Sequence, residues 1–236
     1  MQKAAIFGAS GGIGAALCRA LADKGVQVLA GSRGGDTPTH VSITPFRFDL
    51  EDESTIAAAV QAMADDPPDL VVVATGVLTL ADGTGPERSL KALDPATMQK
   101  VMLLNTIGPA LIAKHVLPLF PRDRKCVFAA LSAKVGSISD NRVGGWHSYR
   151  ASKVALNMLI RNFAIEMERT HPQAVIVGLH PGTVDTRLSQ PFQSSLPAGQ
   201  LTMRRDAARN LMRILEGLQP QDSGTLVGWD GEVIAP

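Results

Sequence analysis

The sequence predicts an α/β chain built as a doubly wound parallel sheet of about seven strands, with helices on both faces. Three observations predict it. Short runs that are apolar on successive residues recur along the chain, as strands covered on both faces require. Longer stretches with helical apolar spacing alternate with them, and a glycine-rich turn separates the first run from the first helical stretch. The apolar runs fall at 4–7, 26–30, 43–48, 70–74, 126–131, 175–179 and 225–227; helical patterns fall at 13–24, 54–64, 96–119, 148–169 and 205–218. Right-handed crossovers between successive parallel strands then leave few topologies.

At 236 residues and 45% hydrophobic, the chain can bury one substantial core, and a single domain over 1–236 is expected. The formal net charge is +1 and charges of both signs are mixed, so no nucleic-acid or anionic-membrane partner is expected. Arg204, Arg205, Arg209 and Arg213 surround Asp206 at helical spacing and read as a solvated helix face. The first residues run straight into glycines, and no stretch reaches the roughly 18–20 apolar residues of a membrane span. A soluble, cytoplasmic protein is expected. Cys18 and Cys126 read as reduced packing residues, and the five histidines, His40, His115, His147, His171 and His180, have no zinc-site spacing, so no metal is assigned.

The first strand ends in Phe7-Gly8-Ala9-Ser10-Gly11-Gly12-Ile13-Gly14. Gly8 permits a tight turn, Gly12 lets the backbone approach a pyrophosphate, and Gly14 lets the following helix pack close to the strand, with the helix N-terminus facing the anion. The turn as a whole (Gly8, Ser10, Gly11, Gly12, Ile13 and Gly14) is therefore expected to hold a dinucleotide, making the fold Rossmann-type. Residues 8–12 also read as G-x-S-x-G, a hydrolase elbow, but that motif belongs deep in a chain and here would sit at residue 10. The second strand ends in Ala30-Gly31-Ser32-Arg33, with no carboxylate for a ribose 2′-hydroxyl. Ser32 and Arg33 suit a 2′-phosphate instead, so NADP(H) is expected over NAD(H). Asp49 and Leu50 follow the third strand, where they could hold an adenine edge; an N-cap is the other reading of Asp49.

Tyr149 is the single tyrosine of the chain and stands four residues before Lys153 in Ser148-Tyr149-Arg150-Ala151-Ser152-Lys153. On a helix this spacing puts phenol and ammonium on one face, where the cation can stabilise a phenolate. Moving a tyrosine from about 10 toward 7 needs roughly 4 kcal/mol, which one cation about 4 Å away supplies at an effective dielectric near 20.

With these motifs in place the chain resembles the short-chain dehydrogenase/reductase family over essentially its whole length, and within it the branch of C-factor-like proteins and small carbonyl reductases. The residues behind the resemblance are 8–14, Ala74-Thr75-Gly76, Asn105-Thr106, the 136–145 segment, Tyr149 to Lys153, and His180-Pro181-Gly182-Thr183-Val184-Asp185-Thr186. The resemblance implies that Tyr149 gives a proton to a substrate carbonyl, or takes one from the alcohol, while a nicotinamide exchanges hydride. It implies that Lys153 holds the nicotinamide ribose, that Asn105 anchors a water in a proton path, and that Ala74, Thr75, Gly76, Pro181, Gly182, Val184 and Thr186 help bind the cofactor. It also implies a homodimer or homotetramer paired through two long helices, and a small carbonyl or alcohol substrate.

Two departures stand out. Phe7 replaces a threonine before the first glycine, which bears on sheet packing. Leu131-Ser132-Ala133-Lys134-Val135-Gly136 holds one serine where relatives have two in succession. Ser132 is the expected catalytic serine, with Ser137 a further candidate, although counting back from Gly136 puts Ala133 in the slot; adjacent strand residues face opposite ways. Loops at 77–88 and 189–202 follow strands at the ligand edge, and the second, about 187–203, is the expected substrate loop. A dinucleotide-binding sensor of C-factor type, with little turnover, is the competing functional class.

Overall fold

The computed structural model describes residues 1–197 and 199–236. The elements follow in chain order as β1 (Lys3–Phe7), α1 (Gly12–Ala22), β2 (Gln27–Ser32), β3 (Ile43–Arg47), α2 (Glu53–Gln61), β4 (Leu70–Val73), α3 (Pro95–Met102) and α4 (Gly108–Val116). They continue as β5 (Cys126–Leu131), α5 (His147–Glu168), β6 (Ala174–His180), β7 (Thr183–Val184), β8 (Leu201–Thr202), α6 (Arg204–Gly217) and β9 (Leu226–Gly228). Among the described residues seven strands pair in parallel in the order β3-β2-β1-β4-β5-β6-β9, as the alternation of apolar runs and helical patterns predicts. β7 and β8 form a separate two-stranded ribbon that the sequence reading does not contain.

Successive strand residues feed two cores. Ile6, Val28, Val72, Val127 and Val177 meet Leu17, Leu21, Leu211 and Leu215 of α1 and α6. On the other face Phe7, Val71, Val73, Phe128 and Ile176 meet Ile56, Ile112, Leu156 and Ile160 of α2, α4 and α5. This is why the strands read as continuous apolar runs. Phe7 is fully buried, with ring centroids 5.1 Å from Phe46 and 5.0 Å from Phe48 in edge-on contacts. Gly31 makes room for that cluster, since a Cβ there would lie 2.3 Å from the Phe46 ring. The departure at Phe7 is thus accommodated by aromatic packing between β1 and β3.

The helical stretch expected at 96–119 is interrupted. Residues Leu103–Ile107 form a π-helical turn between α3 and α4, which turns Asn105 into the interior. The whole stretch Pro95–Leu119 has the length and hydropathy of a membrane span, against the sequence reading, but half of its most apolar window is buried inside the fold. The β1–β4 neighbourhood is where the strand order reverses, and the crevice at the carboxyl ends of these strands is the place such sheets bind ligands.

Candidate active site

Gly8 turns the chain off β1 with φ +97°, a conformation that favours glycine. The amides of Gly8 and Ala9 both donate to Gly31 O, at 2.9 and 2.8 Å, tying the turn to β2. A Cβ on Gly14 would lie 2.2 Å from Gly8 O, the close packing of helix on turn that was expected there, and one on Gly12 would lie 2.6 Å from Thr186 Cγ2, a close approach to a protein side chain. α1 starts with Gly11 as N-cap and neither a side-chain cap nor an acidic residue in its first turn. Its amino end is left to water or an anion.

A cleft of about 1540 Å³ opens at the strand ends. Ser10, Gly11, Gly12, Ile13, Ala74, Thr75, Gly76, Ser132, Tyr149, Lys153, Pro181, Gly182, Val184 and Thr186 all line it. Gly8 and Gly14 shape the turn from behind. Ser32, Arg33, Asp49 and Leu50 lie off the cleft wall at the ends of β2 and β3. Ser32 is buried with its hydroxyl unpartnered, whereas Arg33 is exposed. Asp49 is not the helix cap: Asp52 caps α2 through Ser54 N, while the Asp49 carboxylate accepts from Glu51 N at 3.0 Å. Leu50 packs against Gly108, where a Cβ would lie 2.7 Å from its Cδ2.

Tyr149 and Lys153 occupy the first turns of α5, 8% and 3% exposed. Lys153 Nζ donates to Leu131 O at 2.9 Å and lies 5.7 Å from the centre of the Tyr149 ring. Burial pushes the phenol up to about 12 and the ammonium down to about 8. The expected depression of the tyrosine is therefore reversed in the protein alone: desolvation of the phenol outweighs a cation whose hydrogen bond goes to a backbone carbonyl.

Asn105, fully buried, bridges three elements. Its Oδ1 accepts from Val77 N at 2.8 Å, and its Nδ2 donates to Val77 O at 2.9 Å and to Ser152 Oγ at 3.1 Å. It ties the π turn to the chain after β4 and to α5, beside Lys153. A Cβ on Gly76 would lie 3.3 Å from Asn105 Oδ1 and 3.5 Å from Lys153 Nζ, so these groups converge on that backbone.

Ser132, the expected catalytic serine, stands at the cleft with its hydroxyl already engaged. It lies one residue past β5, its amide still laddered to Leu179 O at 2.8 Å, and its hydroxyl donates to Asn157 Oδ1 on α5 at 2.6 Å. Ser132, 4% exposed, links strand to helix through that hydroxyl, and both it and extended Ala133 line the cleft. Ser137 is absent from the cleft lining, and its hydroxyl accepts from Asp140 N at 3.1 Å.

The short chain dehydrogenase family model matches residues 2–196. The chain belongs to that family. As a short-chain dehydrogenase it is an oxidoreductase acting on alcohol or carbonyl groups, and this removes the hydrolase reading of 8–12. It is 32% identical over 144 residues to C-signal of Myxococcus xanthus, covering 61% of this chain and 81% of that protein. It is 28% identical over 236 residues to 1-hydroxy-2-glutathionyl-2-methyl-3-butene dehydrogenase of Rhodococcus sp. (strain AD45), covering 98% of each. Among solved structures it resembles the NADPH-bound carbonyl reductase from chicken fatty liver, with TM-score 0.84 and 22% identity over 100% of this chain and 94% of that one. Carbonyl reductase Sniffer of D. melanogaster matches with TM-score 0.85 and 20% identity over 100% of both.

Several cleft residues of this short-chain dehydrogenase escaped the sequence reading. Trp146, one residue before α5, carries its indole beside Tyr149, with ring centroids 6.2 Å apart. Arg204, read as part of a solvated face, donates from Nε to Asp185 O at 2.6 Å and packs over the glycine turn, 3.4 Å from a Cβ built on Gly12. His180 lines the cleft as a neutral imidazole, pushed down to about 4 by burial, with Nδ1 buried and unpartnered. The described residues contain no cluster of metal-ligating side chains.

Proposed function

We propose that this short-chain dehydrogenase reduces a carbonyl, or oxidises the matching alcohol, with NADP(H) as hydride carrier. The observation that carries the reading is the pair Tyr149 and Lys153, buried on one face of α5 at the wall of a cleft whose other end is the uncapped start of α1. The residues present fit a dinucleotide: free amides at a helix N-terminus suit a pyrophosphate, and the unpartnered hydroxyls of Ser32 and Thr75 offer polar contacts at the ends of β2 and β4. Gly8 to Gly14, Ala74 to Gly76, Pro181, Gly182, Val184 and Thr186 would hold it. Ser32 and Arg33 would take the 2′-phosphate, and Asp49 and Leu50 the adenine edge. When bound, the nicotinamide supplies or accepts the hydride.

Tyr149 gives its proton to the carbonyl oxygen, and an ordinary phenol of value near 10 or above is protonated and ready to do so at neutral pH. Lys153 stays charged below about 8 and stabilises the phenolate left behind, while its anchor on Leu131 O fixes its position. Asn105 fixes Val77 and Ser152 around that lysine. Residues 1–236 act as one dinucleotide-binding unit, with the substrate loop at about 187–203; Ala198 within it lies outside the described residues. Exposed Ile107, Met158 and Ile165 on the long helices support pairing of two copies there, and a soluble, cytoplasmic setting suits the mixed surface charge. Relatives described as dehydrogenases disfavour binding without turnover.

The test is a fluorescence titration with NADPH and NADH, followed by a panel of uncharged carbonyls. Binding of NADPH at least tenfold tighter than NADH, lost in Arg33→Ala, and consumption of NADPH with at least one carbonyl are expected. Equal affinity for the two cofactors would remove the role of Arg33, and the absence of turnover across the panel would remove the reductase reading.

A further inference from the structure

Trp146 has φ 51° and ψ 45°, and among the described residues it is the one non-glycine residue with positive φ. A left-handed backbone at a bulky residue costs on the order of 1–2 kcal/mol and persists where its surroundings over-determine it. Glu87, buried in the 77–88 loop, does this. Trp146 N donates to Glu87 O at 2.5 Å, and the Glu87 carboxylate accepts from Ser148 N at 3.1 Å and from the Ser148 hydroxyl. No side chain of its own segment caps α5; Glu87, from 61 residues away, caps it one residue before Tyr149.

The clamped turn aims an indole across the cleft. Its ring centroid lies 6.2 Å from Tyr149, edge-on at 76°, and 5.0 Å from Phe192 at 58°. Phe192 belongs to the Gln190–Ser195 turn, so the two aromatic rings come from separate segments and meet at the cleft wall. Leu78, Val135 and Leu196 line the cleft with them. Apart from Lys153 and Arg187, the charged lining side chains come from α1, the residues that follow it and α6.

We propose that Trp146 and Phe192 form an aromatic wall beside Tyr149 that selects an uncharged carbonyl substrate carrying a flat aryl group next to the carbonyl. The inference rests on Tyr149 as the proton donor. An aryl ring can lie offset or edge-on against the two protein rings, gaining the directional part of aromatic contacts in addition to area burial. A saturated ring of equal carbon number buries similar area, is thicker and lacks the quadrupole. Two such contacts give a preference of about tenfold for the aryl substrate.

The test compares kcat/KM for acetophenone and for cyclohexyl methyl ketone in the full chain with NADPH, in wild type, Trp146→Gly and Phe192→Leu. Glycine accepts the left-handed backbone, so the first variant removes the ring while keeping the turn; Phe192→Leu carries the test if the first does not fold. The acetophenone-to-cyclohexyl ratio is expected to fall at least fivefold in each folded variant, mainly through loss on acetophenone. A second readout needs no turnover: 1-phenylethanol should bind more tightly than 1-cyclohexylethanol by tryptophan-fluorescence quenching, and lose that advantage in Phe192→Leu. Unchanged ratios, or equal losses on both ketones, overturn the wall and leave the reductase reading standing. No NADPH consumption with either ketone or any other carbonyl overturns both.

Discussion

Lys153→Met should make the protein more stable and inactive. A lysine whose folded value lies below its unfolded value costs stability wherever the folded form is still charged: the cost is full below the folded value and disappears as pH rises through the unfolded value. Burial takes Lys153 from 10.5 to about 8, so the cost is about 3 kcal/mol at pH 7 and about half of that at pH 9.5. Methionine fills the same space without charge. It forfeits the hydrogen bond to Leu131 O, worth about 1 kcal/mol. The net gain at pH 7 is about 2 kcal/mol, which for a chain of this length raises Tm by roughly 4–8 °C. At pH 9.5 the two chains should melt within about 2 °C of each other. Tyr149 is present in both and protonated in the folded state throughout this range, so it cancels from the comparison. Calorimetric melts of both chains at pH 7, 8, 9 and 9.5 measure this directly, with NADPH consumption followed in parallel. A variant less stable than wild type at pH 7, or an advantage that does not narrow with pH, would refute the reasoning that Lys153 is a desolvated cation retained at a cost to stability.

Two further substitutions probe the supports of the site. Asn105→Ala strands the part-buried N–H and C=O of Val77 and should cost about 1–3 kcal/mol, seen as a Tm fall of roughly 3–10 °C; a fall below 2 °C would show that the bridge bears no weight. Ser132→Ala removes the bond to Asn157 and should lower Tm by about 2–4 °C while leaving kcat within about threefold of wild type. A loss of turnover above a hundredfold would place the serine among the reacting groups.

The sheet was legible because its central strands β1, β4, β5 and β6 are buried on both faces and therefore written as apolar runs, while the exposed edge strand β3, with Thr44, Pro45 and Arg47, is marked mainly by its place in the alternation; every helix pattern falls on an observed helix. Tyr149, Lys153 and the glycine turn were legible because their chemistry needs fixed residue types at fixed spacing on one local element. The remainder depends on contacts between distant segments. Glu87 meets Ser148 across 61 residues, Asn105 meets Ser152 across 47, and no local pattern announces either. The π turn that points Asn105 inward looks, in sequence, like ordinary helix. Trp146 carried one unused signal: the two glycines before it, both at positive φ, mark a tight turn ahead of the α5 residues that were read as catalytic. The tyrosine's value was misjudged because the sequence shows the cation's position along the helix but not the burial of the phenol, which dominates.

The central claim is that Tyr149 transfers the proton while other groups hold the cofactor. Tyr149→Phe removes one oxygen and keeps the ring that packs against Trp146. Measured side by side with wild type, NADPH affinity by fluorescence titration and NADPH consumption with the best carbonyl of the panel separate binding from chemistry. The account predicts affinity within about twofold and turnover down by at least about a hundredfold, the scale of a lost general acid. Turnover within tenfold of wild type would contradict it.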